Sequence, residues 1–367
     1  MGKGSWQEGL GLMSGSSLDG LDIACCRFLI DPEDEKKVLE WEIGAAETLP
    51  MPDAWTQRLH KLPGGTARDL VQAHIDLGRF WAGLCLQFIE RHDCKPGFIA
   101  SHGHTLFHWP DKGLSTQIGD GASLAALTGL SVVCDFRMED VALGGQGAPV
   151  APLADRYLFP GYDYYLNIGG IANISFQKAG RWTAFDIGPA NQILNALAIE
   201  AGMAYDTQGQ IAAQGQVERS LLEQIDALSY FSQAPPKSLD NGWIRKEVLP
   251  FYQDRHLPLS HRMRTAVEQL AGQTAEVIRN WGDQKEGEIR LLATGGGVYN
   301  DFLMQRLQSR ISDLVEVQIE VPEPKVVDFK EALLMALMGA FRLMGVPNCL
   351  AEVTGASRDT VGGAVYI

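Results

Sequence analysis

The sequence predicts an α/β protein built twice over, as two αβ domains with a cleft between the halves. Three observations carry this. The chain has 367 residues, too many for one ordinary core and suited to roughly two domains of about 150 residues. Strand-like and helix-like periods alternate along it. Near Tyr162 the opening pattern of strand, glycine turn and strand starts again, without real sequence identity to its first occurrence.

The elements follow in order. Glu8 to Leu29 reads as a hairpin with an oversized glycine loop, in which GLGLM enters SGSSLDG and LDIACCRFLI leaves it. The charged run DPEDEKK at 31–37 marks a turn, and VLEWEIGAAETL then alternates as a third strand. From Thr66 to His92, Leu70, Ala73, Leu77, Phe80, Trp81, Leu84 and Phe88 recur at helical spacing, so one long helix ends near Lys95-Pro96. Strand FIASHG, helix GASLAALTG and the buried-strand run LSVVCDF complete a β-α-β alternation. In the second cycle DYYLNIGGIANISF and RWTAFDIG read as two strands around a glycine turn, followed by helix QILNALAIEAG. Helices over 263–281 and 300–311 flank strand IRLLATGGG, and 329–345 forms the last helix. The expected domains are 1–150 joined by 328–367, and 151–327.

Composition narrows the function. Hydrophobic residues make up 46% of the chain, enough for two cores, and 40 glycines against 17 prolines point to tight turns and close backbone approaches. A net charge of −14 with no long basic run disfavours nucleic acid and anionic membranes. A small anion such as ATP is still compatible, because backbone N–H groups and a bound metal can hold phosphates without a basic surface. The six scattered cysteines include no C-x-x-C pair, so neither a zinc ribbon nor a disulfide framework is signalled, and a cytoplasmic location with reduced thiols is expected. No run approaches about 18 apolar residues and no export signal opens the chain, so a soluble protein is expected.

Four constellations could carry chemistry. The loop Gly15, Ser16, Ser17, Leu18, Asp19 and Gly20, with Leu21 and Asp22 beyond it, lies between two strands and is not a Walker A loop. Small residues there let amides and hydroxyls approach phosphate oxygens, and Asp19 or Asp22 could hold Mg²⁺ through water; an ordinary hairpin turn accounts for the loop equally well. Asn167-Ile168-Gly169-Gly170 is a second phosphate-sized turn, shortly before FDIGPAN, where Asp186 stands at a strand end ahead of a helix start marked by Pro189 and Asn191. Its carboxylate either projects beside free N–H groups or merely caps that helix. Gly295, Gly296 and Gly297 form a triple-glycine turn after a buried strand, without the spacing or acidic partner of a dinucleotide site. The alternative there is tight strand–helix packing alone. Finally, Ser101-His102-Gly103-His104-Thr105 precedes Asp135-Phe136-Arg137. His-x-His on a strand end also opens many metal hydrolase sites, yet only His256 and His261 follow, in a polar Pro-rich stretch, so substrate hydrogen bonding is the better reading. A serine hydrolase lacks its G-x-S-x-G elbow.

Taken in order, GLMSGSSLDGLD, ASHGHTLFHWP, TQIGD, DFRMEDVALGGQGAP, LNIGGIANIS, FDIGPAN, YDTQGQIAAQGQV, PPKS and TGGGVYN resemble the serial motifs of the anhydro-N-acetylmuramic acid kinase family, nearly end to end. The resemblance implies duplicated ribonuclease H-like domains of the actin/hexokinase-like ATPase fold closing on ATP and Mg²⁺. It implies Gly15 to Asp22 as the first phosphate loop and Asn167, Gly169 and Gly170 in the second. Gly295 to Gly297 would form the adenosine-side turn, and the helix around Glu331 would return to the first domain. It implies that the 1,6-anhydro ring is opened by water while O6 is phosphorylated, with Asp186 as the base. His102, Thr105, Arg137 and Glu331 would contact the sugar, Arg137 taking the lactyl carboxylate. A homodimer is implied too. The alternatives are a kinase of the same fold for another amino sugar and a catalytically silent actin-like protein, against which Asp19 and Asp186 both argue. The chain departs from the family pattern at Ser16 for threonine, His104 for glutamine, and Ile187 and Ala190 for threonine and glycine. After PPKS, Leu239 to Trp243 replace an expected Gly-Arg-Glu.

Overall fold

The computed structural model describes residues 6–15, 20–31, 34, 37–235, 237–282 and 287–367. Two compact units emerge, one of residues 1–160 with 329–367 and the other of residues 161–328.

The first unit is organised on strands β1 (Trp6–Ser14), β2 (Gly20–Ile30), β3 (Val38–Pro50), β4 (Phe98–Trp109), β5 (Leu114–Ile118), β6 (Ser131–Cys134) and, from the far end of the chain, β12 (Ala364–Tyr366). Their order is β12-β6-β4-β1-β2-β3, with β5 paired to β4. β1, β2 and β3 form an antiparallel meander, while β4 and β6 add in parallel on the other side of β1. Central β1 is fully buried from Gly9 to Leu12, as a strand covered on both faces must be, whereas β3 lies at the edge and keeps polar residues in solvent. On one side helix α1 (Ala67–His92) supplies Ala73, Leu77, Trp81 and Phe88 to the core. Its start is fixed by a capping box: the Asp69 amide donates to Thr66 Oγ1 and the Thr66 amide donates to the Asp69 carboxylate. Helix α2 (Gly121–Thr128) is capped by Asp120, whose carboxylate accepts from the amides of Ala122 and Ser123. Helix α3 (Ala151–Leu158) follows.

The second unit carries β7 (Tyr164–Ile168), β8 (Ile171–Lys178), β9 (Arg181–Pro189), β10 (Ile289–Thr294) and β11 (Val317–Glu320). Their order β11-β10-β7-β8-β9 repeats the first sheet's logic, an antiparallel three-strand meander extended by two parallel strands on the far side of its first strand. That shared order is the ribonuclease H-like topology, present twice. Helices α4 (Asn191–Ala198), α5 (Leu259–Trp281) and α6 (Asp301–Ser312) bury their apolar faces in one continuous core with the strands. Helix α7 (Pro324–Met344) begins in the second unit and continues in the first, with a non-helical residue at Phe329. Beyond that residue it lies so close on β1 that a Cβ on Gly11 would come 1.8 Å from the Ala332 carbonyl oxygen, which is why only glycine fits there.

Several expectations change. Residues 151–160 belong to the first unit rather than the second: Lys330 on α7 donates to Asp155 at 2.7 Å, and the Trp41 indole donates to the Leu158 carbonyl and meets the Phe159 ring edge-on. As expected, Gly169-Gly170 turns the chain between two strands, β7 and β8. Helix 263–281 begins earlier at Leu259 after Pro258, and the last helix begins at Pro324. β5, β11 and β12 were not foreseen: each is short and outside any long apolar run.

Candidate active site

In the second unit the registers line up a polar row across the sheet. Thr294 on β10 pairs with Asn167 on β7, Asn167 with Asn173 on β8, and Asn173 with Asp186 on β9. Residues in register share a face of the sheet, so the row ends on the Asp186 carboxylate. The two glycine turns adjoin it. Gly295, at φ +82°, would place a Cβ 2.6 Å from Asn167 Oδ1, and Gly297 would place one 2.2 Å from the Ile168 side chain. Those two glycines are required by packing. Gly296 meets nothing within 4 Å, and Gly170 touches only Gln192 Cβ at 4.0 Å, so their open faces leave backbone accessible to a ligand. The start of α4 is tied to the same turn, for the amides of Ala190 and Gln192 donate to the Gly170 carbonyl.

Asp186 is half-buried on edge strand β9 and does not cap α4. Its Oδ2 accepts from the Leu239 amide at 2.8 Å, its own amide donates to the Lys237 carbonyl at 3.1 Å, and its carbonyl accepts from the Tyr230 hydroxyl at 2.7 Å. Burial raises its pKa to about 6, against the pull of the Leu239 amide. A carboxyl so placed is ionised at neutral pH but holds a proton far more readily than an exposed one. Of the departures from the family pattern, Ile187 and Ala190 are buried in the core of this unit, so the Ala190 methyl is a packing group and not an obstruction at a phosphate turn. The segment after PPKS, to which no role attached in the sequence, borders Asp186 directly.

In the first unit the polar groups lie along β4, just after β6 and on α7. His102 is buried, and burial followed by the Arg137 charge pushes its pKa down to about 3, so the ring is neutral. Its Nδ1 donates to the Gly103 carbonyl at 2.9 Å, which leaves Nε2 to accept from Arg137 Nε at 3.1 Å. This fixes the guanidinium plane while leaving its terminal nitrogens for another partner. Burial lowers the Arg137 pKa and the Glu331 charge opposes it. Glu331, on α7, is open to solvent yet crowded by protein; that crowding and then the like charge of Asp22 raise its pKa, while Arg137 and Lys330 pull it down. Asp22 accepts from Thr48 Oγ1 at 2.5 Å. Thr105 is half-buried on β4 and accepts from Gln117 Nε2 at 3.4 Å. A cavity of about 210 Å³ opens beside His102, lined among others by His74, Gln117, Cys134, Asp135 and Tyr366, and Arg137, Thr105 and Glu331 do not line it.

Of the first loop, Gly15 follows the end of β1 and Gly20 starts β2 against Thr48 and Leu49, while Ser16, Ser17, Leu18 and Asp19 lie outside the described residues. Leu21 is buried in the core, so its side chain offers nothing to a ligand. His104, whose pKa burial lowers to about 4, sits 3.4 Å from Ser14 Oγ. That contact was invisible in sequence, because it joins residues of two strands ninety positions apart.

A duplicated ribonuclease H-like topology with glycine turns at the ends of the parallel strands defines the class, the actin/hexokinase-like ATPases. Within it the chain belongs to the anhydro-N-acetylmuramic acid kinase family, whose model matches residues 7–367. The anhydro-N-acetylmuramic acid kinase of Bordetella pertussis is 36% identical over 97% of this chain and 95% of its own length. Those of Gloeobacter violaceus and Hydrogenovibrio crunogenus are 34% and 32% identical, each over 97% of this chain and 98% and 97% of their own lengths. The chain is an ATP-dependent sugar kinase.

Proposed function

We propose that the enzyme opens the 1,6-anhydro ring of anhydro-N-acetylmuramic acid and phosphorylates the freed O6, giving N-acetylmuramic acid 6-phosphate in cell-wall amino sugar recycling. The observation that carries this is Asp186, a half-buried carboxyl with its pKa raised to about 6, at the end of a polar row beside two glycine turns in a chain of this family. Water attacks C1 and gives its proton to the free oxygen of Asp186; the C1–O6 bond breaks; O6 attacks the γ-phosphorus of ATP and ADP departs. A water held between carboxylate and anomeric carbon follows the logic of inverting glycosidases, with phosphoryl capture replacing a general acid at the leaving oxygen.

Asn167, Gly169 and Gly170 and the first loop, Gly15 to Asp22, take the phosphates through backbone amides, and Gly295 to Gly297 admit the adenosine side. His102 holds Arg137 for the lactyl carboxylate, while Thr105 and Glu331 serve sugar hydroxyls. Asp22 with Asp19 would hold Mg²⁺ through water, offsetting phosphate charge. All six cysteines are free thiols, which supports a cytoplasmic setting, and no helix among the described residues is long and apolar enough to cross a membrane. Family membership supports a homodimer.

The test is mass spectrometry of the product formed from the anhydro sugar, Mg-ATP and ¹⁸O-water. One ¹⁸O at C1 with phosphate on O6, lost in Asp186→Asn, is the expected result. Absence of any phosphorylated product from the anhydro sugar would overturn the substrate assignment.

A further inference from the structure

Asp186 stands on an edge strand, where nothing in the sheet itself fixes the outer side of its backbone or the rotation of its carboxylate. Both are fixed by a loop. The Asp186 amide, pointing away from β8, donates to the Lys237 carbonyl, and two residues later the Leu239 amide donates to Oδ2. One carboxylate oxygen is thereby occupied, and Oδ1 has no protein hydrogen bond among the described residues. The loop is itself anchored. Lys237 Nζ donates to the Tyr230 carbonyl at 3.1 Å and sits 4.5 Å from the centre of the Tyr230 ring. Trp243 packs on the same ring at 5.4 Å, and the Tyr230 hydroxyl closes the circuit onto the Asp186 carbonyl. Lys237 forms no salt bridge with a carboxylate among the described residues; its amine is spent on Tyr230.

We infer that Lys237 and Tyr230 are positioning residues for the reaction: together they clamp loop 237–239 against β9 and so aim the free oxygen of Asp186 at the attacking water. Neither touches the reacting atoms. Tyr230 is buried, and Lys237 reaches only its carbonyl and ring. The closing segment Leu239 to Trp243, which departs from the family pattern, keeps this function because it acts through a backbone amide and through the Trp243 ring, neither of which needs the expected Gly-Arg-Glu side chains. The inference rests on Asp186 being the base.

The experiment compares the full-length enzyme with Lys237→Met, Lys237→Arg, Tyr230→Phe and Asp186→Asn in steady-state kinetics with anhydro-N-acetylmuramic acid and Mg-ATP, alongside melting temperatures. A misaimed general base costs about ten- to a hundredfold in rate. Lys237→Met and Tyr230→Phe should lose that much kcat with both KM values within about twofold of wild type, and Lys237→Arg, which keeps a cation over the ring, should recover most of it. Tyr230→Phe deletes a single oxygen, so it reports even if Lys237→Met unfolds. Wild-type kcat in both variants, with Asp186→Asn inactive, would overturn the clamp and leave the base standing. A raised KM at unchanged kcat would also overturn it, making Lys237 a ligand contact. An active Asp186→Asn would remove the base and the clamp with it.

Discussion

A single carboxyl shows how environment sets chemistry. Asp186 is an ordinary residue type, but desolvation lifts its pKa to about 6 while the Leu239 amide limits the rise. A base must be ionised, so turnover should be level above neutrality and fall about tenfold per pH unit well below pH 6. Plots of log kcat against pH measure this directly; a limb that stayed near pH 4 would mean that another group limits the reaction. His102 shows the opposite shift. Buried and next to a guanidinium, it stays neutral, and only a neutral ring can accept from Arg137 while donating to Gly103. Asp186 was legible in the sequence from its place between a strand and a helix start. The groups that hydrogen-bond it were not, because Tyr230, Lys237 and Leu239 lie more than forty residues along the chain, and the PPKS motif around Lys237 does not reveal which strand it meets.

At the scale of elements, helices α5 and α6 are joined by a buried ionic cluster. Glu268 on α5, almost wholly buried, accepts from Arg264 on its own helix and from Arg306 and Arg310 on α6. Its pKa is lowered although burial acts to raise it, since two arginines on α6 more than offset the desolvation. Glu268→Gln should therefore cost about 3 kcal/mol, the low end for breaking a buried pair, because the arginines are partly exposed and can turn to solvent. Urea unfolding of the variant measures the loss, and an unchanged midpoint would show that the cluster adds nothing net. Long elements were readable from their periods: the apolar positions of α1 and the capping box at Thr66 mark that helix as plainly in the sequence as in the fold. Short β5, β11 and β12 carry too few residues for a period to register, and they exist because neighbouring strands offer free edges to pair with.

For the whole molecule, acid sensitivity follows from the buried histidines. His102 and His104 have folded pKa values near 3 and 4, below the ordinary 6.5, so the unfolded chain binds more protons than the folded one between those limits. Stability is then full above pH 6.5 and declines as pH falls, by about 2 kcal/mol for each histidine at pH 5. Asp186 acts in the opposite sense, since its raised pKa favours the folded state as it protonates. The expected net result is a lower urea midpoint at pH 5 than at pH 7, with a smaller drop in His104→Gln; equal drops would remove His104 from the account. By itself the sequence determined the αβ duplication, the long helices, the glycine turns and the kinase family, because periodicity, turn chemistry and ordered motifs are local properties of the chain. Only the tertiary structure decided that residues 151–160 join the first unit, that Ala190 and Ile187 are core residues, and that a loop fifty residues away hydrogen-bonds Asp186. Each of these depends on which distant residues meet, and contacts between groups far apart along the chain leave no periodicity or local motif to read.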